Sequence, residues 1–278
     1  MHQAAPESLG LTSRRMALAP GVELEYVERG DPQGEALVLL HGFTGSWRSW
    51  ELILPRLPRA YHTYAPSLRG HGDSGKPRCC YRPADFAGDV IAFLDALEIA
   101  RVTLIGHSMG SFIAHLVAVD HPERVARLVL IGWGPSRPTS PAAVARLTAL
   151  HAYVQALGDA IDAAFVREFA TGTVVTPLPA PFLERVTAES LKVPVAVWKQ
   201  MLAGRLATDQ SPPLGTSAAP ALVLYGEHDA YAHEGQQLLA AALPQAAFMT
   251  YPAAGHAPHW ERPQRFVDDL HAFLAKPP

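Results

Sequence analysis

Long apolar runs, charge of one sign and spaced cysteines are all missing from this chain of 278 residues. No uninterrupted apolar stretch approaches the roughly 20 residues of a membrane-spanning helix, so no membrane insertion is expected. The formal net charge of −3 supplies no basic face, which argues against nucleic acid or an anionic membrane as partner. The two cysteines, Cys79 and Cys80, are neighbours. A bridge between adjacent residues is strained, so two reduced thiols are expected. No Cys/His cluster has metal-ligand spacing, and neither a metal nor an organic cofactor is expected. Residues 1–12 are polar and contain no apolar signal-type core, so no secretory signal is expected and a cytoplasmic location fits. Internal repeats and low-complexity tracts are absent.

What is present is core-forming material: hydrophobic residues make up 49% of the chain, enough to fill a large α/β domain. Residues 22–27 alternate apolar and charged, as a half-exposed antiparallel edge strand does. Residues 36–40 are continuously apolar, the mark of a buried parallel strand. Further strands are expected over 61–65, 102–105, 128–131, 221–225 and 247–251. Helical spacing appears over 47–57, with Ser46 as N-cap, and over 86–97, with Asp89 and Asp95 facing water. It recurs after residue 112 and over 236–243 and 266–274.

Between residues 136 and 213 the rhythm changes. Helical patterns run over 142–157, 161–169, 181–191 and 193–206, with prolines between them and no convincing buried strand. The expected class is α/β, a mostly parallel sheet flanked by helices with an inserted helical cap. Residues 1–135 form the first part of the core, with 1–15 a flexible lead. Residues 136–213 form the cap, and 214–278 complete the core. Ligands of such sheets bind beyond the C-terminal ends of the strands.

At one such end stands Gly106-His107-Ser108-Met109-Gly110, a serine between two glycines on a strand-to-helix turn. That is the nucleophile-elbow pattern, in which the hydroxyl stands clear of the sheet at a helix start. Serine chemistry also needs a base, an orienting carboxylate and donors for an oxyanion. His256 follows the strand 247–251 on a Gly-containing loop. Asp229 follows the strand 221–225, and Glu227 two residues earlier is a rival for the acid. The chain order Ser, Asp, His suits this topology. The N–H of Met109 and that of Phe43, in His41-Gly42-Phe43-Thr44-Gly45, are the expected oxyanion donors. His41 and His71 are expected to hold loops.

Together with Leu68-Arg-Gly-His-Gly-Asp-Ser74 and Gly255-His-Ala-Pro-His-Trp-Glu261, these segments resemble the α/β-hydrolase superfamily, in its serine-nucleophile branch with a helical cap. The likeness runs from about residue 20 to the end. It implies Ser108, Asp229 and His256 as the triad, Asp229 being preferred to Glu227 on this ground, and Phe43 and Met109 as oxyanion donors. One departure is Ser67, where relatives often carry Asp. Ser108 separates the chain from relatives with an Asp nucleophile, the haloalkane dehalogenases and epoxide hydrolases.

The activity so implied is acyl transfer to water on a small-molecule substrate, a neutral ester or lactone. Trp133, Tyr153, Phe169, Trp198 and Met201 either line an apolar pocket or pack the cap onto the core. A second reading is hydrolysis of a C–C bond in a ring-cleavage dienoate, with Arg137 or Lys199 holding its carboxylate. A third, from a different class, is a small-ligand receptor without turnover. Oligomeric state has no signature in the sequence.

Overall fold

The continuous apolar runs become the interior strands of a single sheet. The computed structural model describes residues 11–19, 22–135, 138–207, 217–230, 232–243 and 245–276. Their strands are β1 (Arg14–Ala19), β2 (Val22–Gly30), β3 (Ala36–Leu40), β4 (His62–Pro66), β5 (Val102–His107), β6 (Val125–Ile131), β7 (Ala221–Gly226) and β8 (Ala247–Tyr251). The spatial order is β1-β2-β4-β3-β5-β6-β7-β8. The β1–β2 and β2–β4 pairs are antiparallel, and every later pair is parallel.

Because side chains alternate along a strand, each interior strand feeds two cores. Leu40, Leu104, Leu130 and Val223 face α1 (Pro83–Ala96) and α2 (Met109–Asp120), where Phe86, Val90, Ile113 and Val117 meet them. Leu39, Ile105, Ile131 and Leu224 face the other way, against Trp50 and the residues Phe266 and Leu270. Both layers are fully buried, so strands without polar alternation are what this sheet requires.

Four helices fill the interval between β6 and β7: α3 (Pro141–Ala156), α4 (Ala163–Thr171), α5 (Ala180–Leu191) and α6 (Val195–Ala207). The chain then continues through α7 (Ala232–Ala242), the single turn α8 (Pro258–Glu261) and α9 (Pro263–Leu274). The expected boundaries at 136 and 213 lie outside the described residues, as do residues 1–10 of the expected flexible lead. Arg14 and Arg15 of that lead belong to β1.

Several local expectations are corrected. The strand 22–27 is not the edge, because β1 pairs along it from Arg14↔Tyr26 to Ala19↔Val22. Glu25, read as its exposed face, is therefore buried and accepts hydrogen bonds from Ser67 Oγ and the Asp73 N–H, both at 3.2 Å. A carboxylate thus still reaches the turn at Ser67, supplied by β2. Residues 47–57 form two 3₁₀ turns, Trp47–Trp50 and Leu54–Arg56, since Pro55 removes a helical donor. Ser46 does cap the first, accepting from Arg48 N–H.

Asp89 does not face water. It is buried and forms a two-pronged pair with Arg69, and burial raises its pKa before Arg69 opposes that effect. Cys79 and Cys80 are bonded to one another, not reduced; Cys80 has φ of 77°, a left-handed turn that brings its side chain back to its neighbour. Among the described residues, no helix is long and apolar enough to cross a membrane.

Candidate active site

β5 ends at His107, and the next residue leaves extended geometry abruptly. Ser108 has φ 52° and ψ −115°, a sparsely populated region that costs about 1–3 kcal/mol for a residue with a side chain. The surrounding structure holds it there. Its N–H donates to the Ile131 carbonyl of β6 at 2.8 Å, and its carbonyl accepts from Ser111 N–H and Oγ in the first turn of α2. The flanking glycines are required by close approach. A Cβ on Gly106 would run into the Gly110 backbone, and one on Gly110 into the Leu40 carbonyl.

Two other strand ends complete the cluster. Asp229 lies past β7, its N–H donating to Gly226 O at 3.1 Å, and its carboxylate is buried. His256 lies past β8, with Nδ1 2.9 Å from Asp229 Oδ2 and Nε2 2.8 Å from Ser108 Oγ. The Asp contact makes Nδ1 the donor, which leaves Nε2 to accept from the serine hydroxyl. Glu227 is elsewhere: it is exposed and accepts from the Ala253 N–H at 3.0 Å.

The loop carrying His256 is held by a residue the sequence reading passed over. Glu261 accepts from Gly255 N–H at 2.6 Å with one oxygen, and from the Val175 and Thr176 N–H groups at 2.9 and 2.6 Å with the other. The His256 N–H donates to Thr173 O at 2.7 Å. One buried carboxylate therefore ties the histidine loop to the segment after α4. Glu261 lies within a motif segment, yet only its spatial neighbours, 85 and 86 positions away in sequence, reveal what it does.

The loop after β3 is set by histidines. His41 donates from Nδ1 to Gly42 O at 2.8 Å and accepts from Leu68 N–H at Nε2 at 2.9 Å. His71 Nε2 lies 2.8 Å from the Phe43 carbonyl, which turns the Phe43 peptide. Burial holds both imidazoles below their usual pKa, His41 strongly so, and His41 therefore acts as a neutral bracket. From α5, Ser190 Oγ donates to Thr44 O at 2.9 Å. Met109 opens α2, whose first N–H groups have no partner within the helix.

Ser108, His256, Phe43 and Arg205 border two cavities at once. One holds about 70 Å³ and is walled by Tyr81, Phe86, Met109, Ile113 and Met201. The other holds about 600 Å³ and extends past Tyr153, Phe165 and Phe169 to Arg146 and Glu168. Of the expected pocket residues, Met201 lines the first, and Tyr153 and Phe169 the second. Trp133 and Trp198 line neither. Trp133 is buried between Phe112 and His115, and Trp198 packs edge-on behind Phe43 at 5.2 Å between ring centroids. Lys199 points away and donates to Leu157 O at 2.7 Å; Arg137 lies outside the described residues. The cation that borders both cavities is Arg205, one of many scattered basic residues and unmarked by its sequence neighbours; Arg146 borders the larger. Its Nη2 donates to the Pro135 carbonyl at 3.0 Å. Among the described residues, no group of three or more His, Cys, Asp or Glu could hold a metal.

Residues 35–263 match the alpha/beta hydrolase fold family, and the chain belongs to it. Three similar proteins narrow the comparison. An uncharacterised protein of Mycobacterium tuberculosis is 28% identical over 87% of this chain and 75% of its own length. The 2-hydroxymuconate semialdehyde hydrolase of a Pseudomonas species is 36% identical, over 42% of each chain. The crystal structure of a hydrolase from Pseudomonas aeruginosa superimposes with a TM-score of 0.81 at 26% identity, covering 96% of this chain and 99% of that one. The class is thus a hydrolase fold, and the chain is a member of that superfamily.

Proposed function

We propose that the protein is a serine hydrolase that cleaves a neutral carboxylic ester or lactone through an acyl-enzyme. The observation that carries this reading is the unbroken chain of contacts from Ser108 Oγ to His256 Nε2 at 2.8 Å and from His256 Nδ1 to Asp229 Oδ2 at 2.9 Å. His256 takes the hydroxyl proton as Ser108 attacks the substrate carbonyl. Asp229, buried beside the ring, stabilises the imidazolium and fixes its tautomer. The Phe43 and Met109 N–H groups hold the developing oxyanion, at a helix start where the dipole adds to their effect. His256 then protonates the leaving oxygen, and water repeats the sequence on the acyl group. In this reading α3–α6 form a cap over the strand ends, and the site is complete without a cofactor.

A fluorophosphonate probe tests the assignment. Wild-type protein should become labelled with one equivalent and Ser108→Ala should not. Equal labelling of the two would remove the nucleophile.

Arg205 supports a second reading. It is a cation lining both cavities that Ser108 and His256 border, and C–C cleavage of a dienoate would need such a group for the carboxylate. If so, Arg205→Gln would raise KM for an anionic dienoate at least tenfold and leave neutral esters unaffected.

A further inference from the structure

We infer that the preferred substrate joins a small acyl group, of about three carbons, to a bulky apolar alcohol. This deepens the ester-hydrolase reading and rests on it.

The two cavities meet at Ser108 and differ most in size. The smaller is lined by apolar side chains held fast in the core. Tyr81, Phe86, Ile113 and Met201 are each 3% exposed or less. Tyr81 is further fixed by its hydroxyl, which donates to Pro77 O at 2.8 Å. Its volume of about 70 Å³ is roughly half of the ~150 Å³ cavity that accommodates a benzene ring in another protein. Packed walls of this kind do not yield cheaply, since forcing extra methylenes into a filled core costs about 1–3 kcal/mol. The larger cavity, about 600 Å³, falls within the range of sites that bury drug-sized ligands.

Chemistry decides which half of the ester goes where. The carbonyl oxygen must face the Met109 and Phe43 N–H groups, and the leaving oxygen must face His256 Nε2, which protonates it. The walls of the small cavity include Phe86 of α1, Phe112 and Ile113 of α2 beside Met109, and Met201 of α6. The large cleft continues past Asp229, His107 and Trp260, the residues packed around His256. The alcohol departs first, while the acyl group stays on the serine. A small apolar cavity with packed walls suits the half that stays, and a roomy one suits the half that must leave. Within the cleft, Tyr153 and Phe165 stack at 3.7 Å, with Phe169 beside them, presenting aromatic surface to an apolar alcohol.

Two isomeric esters, each the other's reverse, test the inference: 2-naphthylmethyl acetate and methyl 2-naphthylacetate. They carry the same ring on opposite sides of the scissile bond, and each rate is divided by that of hydroxide-catalysed hydrolysis. The acetate should have the higher kcat/KM by at least about 100-fold. In a series of methyl esters, wild-type kcat/KM should fall beyond butanoate, and Met201→Ala should extend the optimum towards hexanoate by opening the small cavity. A ratio within threefold of unity, or in favour of the naphthylacetate, overturns the inference, as does a chain-length profile that Met201→Ala leaves in place. Fluorophosphonate labelling of Ser108 separates the two levels. Labelling with either contrary result removes the substrate assignment alone, and no labelling removes the hydrolase reading and this inference with it.

Discussion

The sheet and the four helices between β6 and β7 are built on different physics. In the sheet, strand after strand is fully buried on both faces, and the site's loops are fixed by backbone bonds to their neighbours. The helices α3–α6 meet the core through apolar packing, with Val166, Val197, Trp198 and Met201 in one cluster with the sheet's side chains, and through a set of polar ties besides. Glu51 takes Arg185, Arg48 reaches Glu189, Lys192 joins Glu189 to Asp73, and Glu261 grips Val175 and Thr176. Of the exposed large apolar residues described, Val144, Val175 and Leu191 lie in this region and Phe248 lies on β8. Close packing tolerates little displacement, whereas ion pairs at a partly wet boundary are worth little each. In the proposed mechanism the sheet carries the reacting groups, while both regions supply walls: Tyr81, Phe86 and Ile113 from the core, and Met201, Tyr153 and Phe165 from the helices.

If that division holds, substitutions in the two regions should separate rate from recognition. The largest effect is expected at His256: His256→Ala should lower kcat for an ester by about 10⁴-fold or more while thermal unfolding stays cooperative. Activity within tenfold of wild type would contradict its role as base. Asp229→Asn should cost about 10⁴-fold, because the imidazole loses the acceptor that sets its tautomer. Glu227→Gln, exposed and distant from the ring, should change kcat less than twofold. Parity between those two variants would reopen the identity of the acid.

Next come the ion pairs. Asp89→Ala leaves Arg69 buried without its partner and should destabilise the core by about 3–5 kcal/mol in urea unfolding. Glu51→Gln weakens the tie to Arg185 of α5 and a local pair with Arg48, both arginines being about one-third exposed. It should cost only about 1 kcal/mol and raise KM more than it lowers kcat. A fall in kcat alone would show that the helices position the reacting groups.

A slope with pH is expected as well. Burial lowers the pKa of His115 to about 4 and that of His107 to about 3, with His256 opposing charge on His107 further; His259 is pushed well below the ordinary value. Unfolded, each binds a proton near pH 6.5, so between there and the folded values the unfolded state holds more protons. Stability from these groups is complete above about pH 6.5 and is lost as pH falls through that window. Thermal scans from pH 7 to 5, above the carboxylate range, should show a falling Tm, and His115→Phe should flatten the slope. No change in slope would mean that His115 is not buried neutral.

Much of the sheet was legible in the sequence, because it obeys short-range rules. Unalternating strands, glycines beside Ser108, and chemistry-bearing residues just past strands are local patterns. What escaped was set by distance. β1 is six residues without clear alternation, and it covers β2 only in the folded sheet. Asp89 has the periodicity of an exposed helix position until Arg69 arrives from a loop twenty residues away. Arg205 carries no sequence mark distinguishing it from Lys199, since only the packing of α6 decides which cation reaches the cavity. Trp133 and Trp198 illustrate the same limit: large aromatic rings beside a site are as readily its foundation as its lining.

The central claim is a covalent acyl group on Ser108, and rapid mixing with excess p-nitrophenyl acetate tests it most directly. If acyl-enzyme hydrolysis is the slower step, nitrophenol appears in a burst of about one equivalent per chain. The quenched protein then yields an acetylated peptide containing Ser108, and Ser108→Ala shows neither burst nor acetylation. Steady turnover with no acetylated Ser108 peptide in the quenched wild type, or a burst that persists in Ser108→Ala, would contradict the account.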